Sequence, residues 1–544
     1  MLLNRSHEYA ILNTVAQSSK NLKKEKENIM KKFLSLLLVC LMLLPAVVAC
    51  NKKDDLPNDT DTGAASSESK DVIPSDSKEG DETEKLLRYD EDGFLMDNLD
   101  LKGVDLEGKE ISILTGNDKI QYYYAESLSP SADPLSSAVF TRHMTVQKRL
   151  NCKLNYTTTA DTYDDRAAFT KKVLELSTAG DLDLVGNYSV TSSNIMMNGL
   201  YADLKQSQML ELDQPWWNQE IVNGCAIYDK LYFASGDISP LLIKQSFIYL
   251  YNKDMYAKIS DAVSQQYGVK DVYEMVNEGD WTYENMFAIA NLVIEDADGR
   301  KNMDDTFGYV AYAMAFDCYY SGCGLKQLEK NTDGSIKVSD DMTSVKANDL
   351  MKMLYDFLNS KAAVAVGDCG DCDPVALWGA GKALFYNGRV FDMHRNVGFE
   401  VGLLPAPKYD TDQENYLTVP GFGYTMWGVM RSSNTDYEEL CAVLECLASE
   451  GYRKVTPAYF DTTLAGRQET KNDYDMLYLI RANVVIDAGR VVDEAFKQHT
   501  WDVWRKSIAS GNSFATQIES VIRGMNEQAT SLNSLMKNME KIYG

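Results

Sequence analysis

Apolar and polar positions follow two different periods along residues 109–190. The short apolar stretch KEISILTG (109–116) predicts a strand, and AVFTRHMTVQKRLNCKLNYTT (138–158) predicts an amphipathic helix followed by a second strand. A further helix is predicted over RAAFTKKVLELSTAG (166–180), which ends in glycine, and DLDLVGNYSV (181–190) predicts a third strand. Strand, helix, strand, helix, strand is the order of a parallel α/β sheet.

Another apolar segment lies earlier, from Phe33 to Cys50, and carries no charged residue. Lys31 and Lys32 precede it, Pro45 interrupts it, and small residues lead up to Cys50. After Cys50 the chain becomes polar at once. This arrangement predicts a signal peptide. A transmembrane anchor is the alternative, because the run is just long enough to span a bilayer.

The end of this segment, VVAC, resembles the lipobox of bacterial lipoproteins. The resemblance implies that Cys50 is acylated and becomes the mature N-terminus, which anchors the protein to the membrane through lipid. It places the biological start at Met30, so that residues 1–29 are an upstream misread and 30–49 are the signal peptide. Residues 50–99 are predicted to be a disordered tether, since most of this segment is rich in charged and small polar residues.

Length and charge narrow the classes of protein. The chain of 544 residues is too long for one ordinary hydrophobic core, so two or more lobes are expected. It contains 80 acidic and 54 basic residues, which gives a formal net charge of −26. Such a surface repels nucleic acid, and no segment is rich in lysine and arginine, so we predict no nucleic-acid partner.

The cysteines leave three interpretations open. Cys369 and Cys372 have CxxC spacing, and Cys318 and Cys323 stand close together in the sequence. These four residues could form a zinc site, local disulfides or free thiols.

Several motifs occur in an order that resembles a known family. The segments are DLDLVGNYSV, GLYADLKQSQMLELDQPWWNQEIV, KLYFASGDIS, SFIYLYNKDMY, GDWTYENMFAIANLV, LWGAGKALFYNGRV and FEVGLLPAPKYD. Together they resemble the extracellular solute-binding lipoproteins of bacterial carbohydrate ABC transporters (family 1-like solute-binding proteins). The resemblance covers roughly residues 100–530, and the order of the motifs carries it rather than any single one.

The resemblance implies an α/β, two-lobed periplasmic-binding-protein-like (type II) fold with an interlobe cleft. Lobe one would contain residues 100–238 and 398–450. Lobe two would contain residues 239–397, with 451–544 forming its C-terminal helices. Such a cleft lies at the carboxyl ends of the strands, where open α/β sheets bind ligands.

One loop departs from the pattern of the family, whose members often carry an EF-hand-like loop here. In EDADGRKNMDDTFGY, Asp296 and Asp298 hold positions one and three. Arg300 stands at position five, Lys301 replaces the glycine at position six, and Phe307 stands at position twelve. A calcium loop needs oxygen ligands at five and twelve. We therefore predict no metal and no cofactor.

The chain lacks the usual signatures of catalysis. Only His143, His394 and His499 lie in the expected folded part, and no two of them are close in sequence. Neither an H-E-x-x-H nor a G-x-S-x-G motif is present. We predict that the protein is not an enzyme and has no catalytic residues.

Candidate ligand-binding residues are the polar and aromatic side chains that follow strands or lie in the expected crossovers. They are Asn117, Asp118, Asn187, Tyr188, Ser189, Asp237, Asn387, Arg389, Tyr424 and Trp427. Sugar rings stack on aromatic faces, and their hydroxyl groups bind carboxylate, amide and guanidinium groups. For each residue the alternative is a hinge or interlobe hydrogen bond, and Asp237 with Arg389 could form an ion pair at the hinge.

These observations predict a lipid-anchored protein on the extracellular face of the cell membrane. It would capture a carbohydrate, expected to be an oligosaccharide, by closing its cleft, and deliver it to the permease subunits of an ABC transporter. The alternatives are a glycan-binding sensor of the same fold that has no permease and, less favoured, a surface glycoside hydrolase.

Overall fold

The computed structural model describes residues 88–117, 133–296, 298–365, 372–394, 397–464, 471–496 and 500–543. All of them belong to the unit Ser77–Gly544. No helix in this part of the chain is both long and apolar enough to cross a membrane. The predicted signal peptide and lipidation site lie outside the described residues, as does most of the predicted tether.

The described residues form both strands and helices. The strands are β1 (Glu110–Gly116), β2 (Lys153–Thr159), β3 (Leu184–Tyr188), β4 (Phe247–Asn252), β5 (Phe307–Ala311), β6 (Leu328–Lys330), β7 (Ile336–Val338), β8 (Ala363–Ala365), β9 (Ala383–Arg389), β10 (Val401–Leu404) and β11 (Thr425–Val429). The first helices are α1 (Leu99–Lys102), α2 (Pro134–Arg149), α3 (Arg166–Ala179), α4 (Thr191–Met197), α5 (Gln219–Gly224), α6 (Leu241–Lys244), α7 (Lys253–Ala257), α8 (Ser260–Tyr267), α9 (Val272–Glu278) and α10 (Tyr283–Ala290).

The remaining helices include the long C-terminal ones. They are α11 (Asp317–Gly322), α12 (Val345–Leu358), α13 (Pro374–Gly379), α14 (Tyr437–Glu450), α15 (Thr456–Leu464), α16 (Lys471–Ala482), α17 (Ala488–Phe496), α18 (Thr500–Ser510) and α19 (Phe514–Tyr543). A π-helical turn, Gly451–Val455, joins α14 to α15.

Local sequence accounts for the ends of the predicted elements. The Asp133 carboxylate caps α2 by accepting a hydrogen bond of 2.8 Å from the Ser136 N–H. Pro134 occupies the first turn, where an N–H group has no partner within the helix. Gly180 ends α3 in the left-handed conformation, with φ of 73°. The order of strands and helices predicted over residues 109–190 is confirmed.

The first sheet has the strand order β11–β3–β1–β2. β1 runs parallel to both β2 and β3, and β11 is antiparallel to β3. The carboxyl ends of the three parallel strands therefore meet at one edge, which Gly116, Thr159 and Tyr188 mark. This sheet and its helices form lobe one.

The second sheet has the strand order β10–β4–β9–β5–β8. Here β5 is parallel to β8 and β9, whereas β4 is antiparallel to β9 and β10. The carboxyl ends of β5 and β9, at Ala311 and Arg389, again share an edge. This sheet forms lobe two.

The observed division of the chain differs from the predicted one in one central segment. Residues 398–450 are predicted in lobe one, but β10 pairs with β4 of the second sheet, with Val401 opposite Asn252. The chain returns to the first sheet only at β11. The physical reason is strand pairing. Antiparallel pairing with β4 satisfies the backbone hydrogen-bonding groups of β10 before the chain crosses to the first sheet.

The C-terminal helices also differ from the predicted division, which assigns residues 451–544 to lobe two. α15 packs on α2, and α17 packs on α4, and both of these partners belong to lobe one. α18 and α19 pack on α12, and α19 also covers β7, so they belong with lobe two. The end of the chain therefore contacts both lobes.

Tryptophans predicted to be structural lie in the interior. Trp216 and Trp217 are buried, and their indole N–H groups donate to the two carboxylate oxygens of Glu445, at 2.9 and 2.8 Å. Burial raises the pKa of Glu445 to about 8, although the hydrogen bond from Trp217 opposes that shift. Trp281 is buried as well, and its indole donates to the Pro405 carbonyl at 3.0 Å.

Among the described residues, Cys372 forms a disulfide and the other six cysteines are buried thiols. Cys372 is disulfide-bonded. The free cysteines among the described residues are Cys152, Cys225, Cys318, Cys323, Cys441 and Cys446. A disulfide sulfur cannot act as a thiolate ligand, so the zinc interpretation, which needs four thiolates, fails. Cys369 lies outside the described residues.

Candidate functional site

A small aromatic cluster between the lobes is separate from the main hydrophobic core. Its buried members are Tyr188, the last residue of β3, and Val190, two residues later. Tyr163 and Phe422 pack against them while remaining partly exposed. Phe422 lies in the crossover segment that leads into β11. The Ser189 hydroxyl fixes this segment by donating to the Phe422 carbonyl at 2.6 Å. An apolar surface is thus held where the first sheet meets the crossover.

Lobe two adds a second aromatic face to this cluster. The Trp501 ring, at the start of α18, lies 6.2 Å from the Phe422 ring, centroid to centroid, with the rings inclined at 65°. The Arg505 guanidinium, one helical turn later, lies 4.3 Å from the Trp501 ring centroid. Arg490, from α17, lies 4.4 Å from the Phe422 ring centroid. Both rings therefore carry a guanidinium on one face.

A single carboxylate organises these two arginines. Asp317 begins α11, and its carboxylate accepts two hydrogen bonds of 2.6 Å from Arg505 in a bidentate arrangement. Arg490 approaches the same carboxylate at 3.6 Å and also donates to the Asp317 and Pro420 carbonyls, at 3.1 and 3.4 Å. Asp317 and Arg490 are buried, so this network positions Trp501 and Phe422 rigidly.

Arg389 lies at the carboxyl end of β9 and faces the same region. Its guanidinium donates to the Gln245 side-chain oxygen at 2.6 Å. The guanidinium carbon lies 5.0 Å from the Phe247 ring centroid, 5.7 Å from that of Tyr312 and 5.8 Å from that of Phe391. Arg389 remains partly exposed.

Tyr188, at the end of β3, is a lobe-one residue that interacts electrostatically with Arg389. The Tyr188 backbone N–H donates to the Asp161 carboxylate at 2.7 Å, which fixes the turn after β3. Burial raises the pKa of the Tyr188 hydroxyl, and the guanidinium groups of Arg389 and Arg166 act in the opposite direction. Arg166 itself stacks at 3.6 Å from the Tyr163 ring centroid. Groups from both lobes thus converge between the sheet edges.

Of the predicted ligand-binding residues, the structure brings Tyr188, Ser189 and Arg389 to this region. Asn117 lies at the end of β1 and is exposed, with its N–H donating to the Thr159 carbonyl at 2.8 Å. Asp118 lies outside the described residues.

Two predicted asparagines lie in the lobe interiors instead. Asn187 is fully buried; its side-chain oxygen accepts from the Tyr201 hydroxyl at 2.5 Å and its amide donates to Ser192 at 2.8 Å. Asn387 is fully buried too, with its amide donating to the Tyr249 hydroxyl at 3.2 Å. Both lie within their strands rather than at the ends, one residue before Tyr188 and two residues before Arg389, and their side chains pack into the interior.

The hinge prediction was right about an ion pair but wrong about its partner. Asp237 pairs with Arg481 from α16, not with Arg389. The same carboxylate accepts a 2.6 Å hydrogen bond from the Thr456 hydroxyl. A Cβ atom at Gly451 would lie 2.1 Å from the Asp237 carbonyl oxygen, so the π-helical turn after α14 needs glycine at this position. Asp237 is therefore occupied by protein groups.

The aromatic residues predicted in PGFGYTMWG are both interior. Trp427 is 1% exposed, and its ring packs directly over Gly186 of the neighbouring strand. Tyr424 is 4% exposed. In this conformation neither ring has an open face for stacking.

No pattern in the sequence led to a prediction for Phe422, Trp501, Arg490, Arg505 or Asp317. A signal for two of them exists, since TWDVWRKS places Trp501 and Arg505 four residues apart, on one face of a helix. Nothing local indicates that this face turns toward the cleft.

Two cavities of several hundred Å³ lie near the hinge. One, of about 410 Å³, is lined by residues that include Trp217, Asp237 and Arg481. The other, of about 630 Å³, shares Leu417 and Val485 with it and has no aromatic side chain in the wall that the described residues form. Neither offers the combination of open rings and guanidinium groups found around Phe422.

The acidic loop forms a cluster of carboxylates. One oxygen each of Asp296, Asp298 and Asp305 lies within 4.8 Å of the others. Lys361 contacts Asp296 at 3.1 Å, and this contact, followed by the hydrogen bond from the Gly299 N–H, lowers the pKa of Asp296. Phe307, at the twelfth position, is buried in β5 and supplies no oxygen ligand. The cluster thus lacks the complete donor set of a calcium loop.

Comparisons with known proteins place the fold. No protein-family model and no curated protein matches the sequence. Among solved structures, a cyclic alpha-maltosyl-1,6-maltose binding protein from Arthrobacter globiformis has a TM-score of 0.51 at 14% identity, covering 78% of this chain and 99% of its own. A cyclo/maltodextrin-binding protein complexed with maltotetraose has a TM-score of 0.51 at 14% identity, covering 77% and 97%. UspC from M. tuberculosis has a TM-score of 0.50 at 14% identity, covering 77% and 100%.

These similarities extend over nearly the full length of each solved protein. They agree with the two sheets and the crossovers described above. The chain has the two-lobed α/β fold of type II periplasmic-binding-protein-like solute-binding proteins.

Proposed function

We propose that this protein is a lipid-anchored solute-binding protein that captures a carbohydrate between its lobes and delivers it to an ABC permease. The observation that carries the proposal is the aromatic cluster between the sheet edges, in which partly exposed rings of Tyr163, Phe422 and Trp501 stand beside guanidinium groups. Two solved proteins of the same fold are described as sugar-binding in their names.

The chemistry of the cluster suits a sugar. The C–H faces of a sugar ring are apolar and stack on aromatic rings. Its hydroxyl groups accept hydrogen bonds from guanidinium groups such as Arg389 and donate to carboxylates and carbonyls. Nothing in this set requires a reaction, which favours a binding protein over an enzyme.

Capture would couple to closure of the lobes. Tyr163 and Tyr188 belong to lobe one, whereas Arg389 and Trp501 belong to lobe two, so a ligand that touches all four binds best when the lobes are close. Such a ligand shifts the population toward the closed state, and that state is the one that a permease would recognise.

The location of the protein is part of the proposal. The lipobox-like VVAC ending at Cys50 supports acylation on the extracellular side of the membrane. The disulfide at Cys372 supports the same side, because disulfides persist in oxidising compartments.

A thermal-shift screen of the purified protein against a panel of oligosaccharides tests the binding function. A true ligand at 100 times its Kd stabilises the protein by about 2.7 kcal/mol and so raises the melting temperature. The ligand should be recovered intact after incubation. Release of new reducing ends would indicate a glycoside hydrolase, and a panel in which no saccharide binds would contradict the proposal.

Replacement of Cys50 tests the anchor. Cys50→Ser should leave the protein unlipidated and released into the medium. Retention of an intact 30–544 chain in the membrane fraction would instead favour a transmembrane anchor.

A further inference from the structure

The guanidinium of Arg389 has more N–H donors than the described side chains around it accept. A guanidinium carries five N–H donors. One of them binds the neutral side chain of Gln245, another interacts with the neutral Tyr312 hydroxyl, and the buried Nε–H has no partner among the residues that the structure describes. Within the same described ranges, no carboxylate lies at ion-pair distance from this group. Arg389 therefore presents a positive charge whose counter-ion the described protein does not supply.

The carboxylates near Arg389 are committed to other donors. Asp392 accepts a 2.8 Å hydrogen bond from the backbone N–H of Arg389, not from its guanidinium. Asp317 is taken by Arg505 and Arg490. The aromatic rings of Phe247, Tyr312 and Phe391 surround the guanidinium and remove part of its water.

A partly desolvated charge without a counter-ion is costly, and an anionic ligand group offsets that cost. The planar fork of arginine matches the two oxygens of a carboxylate or a sulfate. The protein as a whole carries a net charge of −26, so it repels anions in general. A cationic group without a counter-ion at the interlobe site of such a protein indicates a specific role for that charge.

We propose that the carbohydrate captured between the lobes is acidic and that Arg389 binds its negatively charged group. This inference rests on the proposed function. The shared chemistry is a planar or tetrahedral oxyanion on a sugar ring, supplied either by the carboxylate of a uronic acid or by a sulfate ester. Aromatic stacking on Phe422 and Trp501 holds the ring, and Arg389 selects the charge.

Matched pairs of saccharides test the inference. The probes are two pairs of oligosaccharides, each with an anionic and an uncharged member. One pair is tetragalacturonate and its carboxyl-reduced form, and the other is κ-carrageenan tetrasaccharide and its desulfated form. Isothermal titration calorimetry with the full chain should give at least about tenfold tighter binding for the acidic member of one pair. Which pair shows the preference separates the carboxylate source from the sulfate source.

Variants assign the preference to Arg389. Arg389→Gln should abolish the preference, whereas Arg389→Lys should keep part of it, since the charge remains but the fork is lost. Arg523→Gln is the matched control, because Arg523 is 90% exposed on α19 and its loss changes the net charge equally. If Arg389→Gln fails to fold, Arg389→Lys and the salt dependence of the wild-type protein decide, since added NaCl should weaken only the acidic ligand.

The outcomes are distinguishable. Equal binding of acidic and neutral members, or a preference that survives in Arg389→Gln, would overturn the inference and leave the proposed carbohydrate function standing. If no saccharide of either kind binds, the proposed function fails together with the inference.

Discussion

Two aromatic residues in the same short stretch, PGFGYTMWG, have opposite environments. Trp427 lies within β11, 1% exposed, opposite Gly186 in the first sheet. Phe422, five residues earlier, remains partly exposed in the cluster between the lobes. The two rings are similar in chemistry and close in sequence, yet one belongs to the core and the other to the candidate site.

The difference shows that position relative to the strand decides the role of a ring. Within β11 the backbone is paired on both sides, with β3 and with Ala234, and the side chain of Trp427 must enter the lobe. Before β11 begins, the Phe422 carbonyl accepts from the Ser189 hydroxyl, and the Phe422 ring lies beside Trp501 of lobe two.

The largest effect is expected inside. Trp427→Ala should lower the free energy of unfolding by about 3–5 kcal/mol, because it removes a buried ring and leaves a cavity over Gly186. Urea denaturation measures the change, and Trp427→Phe should recover part of it. If Trp427→Ala unfolds with nearly the wild-type free energy but fails to bind ligand, Trp427 belongs to the binding site rather than to the core.

The buried carboxylate under Trp216 and Trp217 predicts a dependence of interior stability on pH. The folded pKa of Glu445, about 8, lies above the ordinary value of 4.5, so its contribution is complete below pH 4.5 and is lost as the pH rises through 8. We expect a loss on the order of 3 kcal/mol between pH 5 and 8. Denaturation at both pH values should show a flatter dependence for Glu445→Gln, but an unchanged one for the exposed control Glu519→Gln.

The interlobe surface should respond in binding rather than in stability. Phe422→Ala should weaken binding of a ligand found in the thermal-shift screen by on the order of 2 kcal/mol, about thirtyfold. It should change the free energy of unfolding by about 1 kcal/mol or less. Calorimetry and denaturation of the same sample separate the two. A protein that unfolds while binding is unaffected would place Phe422 with the core.

The smallest expected effect is a change in stability that tests how tightly Trp427 packs on Gly186. A Cβ atom at Gly186 would lie 3.0 Å from the Trp427 ring, so Gly186→Ala should cost about 1 kcal/mol by overpacking. Gly379→Ala is the control, because an added Cβ there meets no atom within 4 Å. Equal stability of the two variants would mean that the ring over Gly186 is loosely packed.

Much of the fold could be predicted because its signals are local. The strands and helices over residues 109–190 follow from periodicity and from Gly180. The assignment of residues 398–424 could not be predicted in the same way. The apolar strand β10 suits either sheet, and only its pairing with β4, far away in sequence, decides between them.

The residues of the candidate site also differ in whether a local sequence pattern predicts them. Tyr188 and Arg389 could be predicted because residues at the carboxyl ends of strands face the cleft in open α/β sheets. Asn187 and Asn387 show the limit of that rule, since they lie one and two residues before the strand ends and their side chains are buried. Trp501 and Arg505 were missed because the docking of α18 depends on Asp317, which no local pattern reveals.

The pairing of distant segments also has a consequence for the order of folding. β3 is complete in the first sheet only when Thr425 reaches Tyr188, and β7 is covered only by a helix that ends at Tyr543. The first sheet therefore cannot be completed before β11 has been synthesised, and β7 cannot be covered before α19 has been. Closing such long loops costs entropy before the contacts form, so folding should be slow and should wait for the last helix.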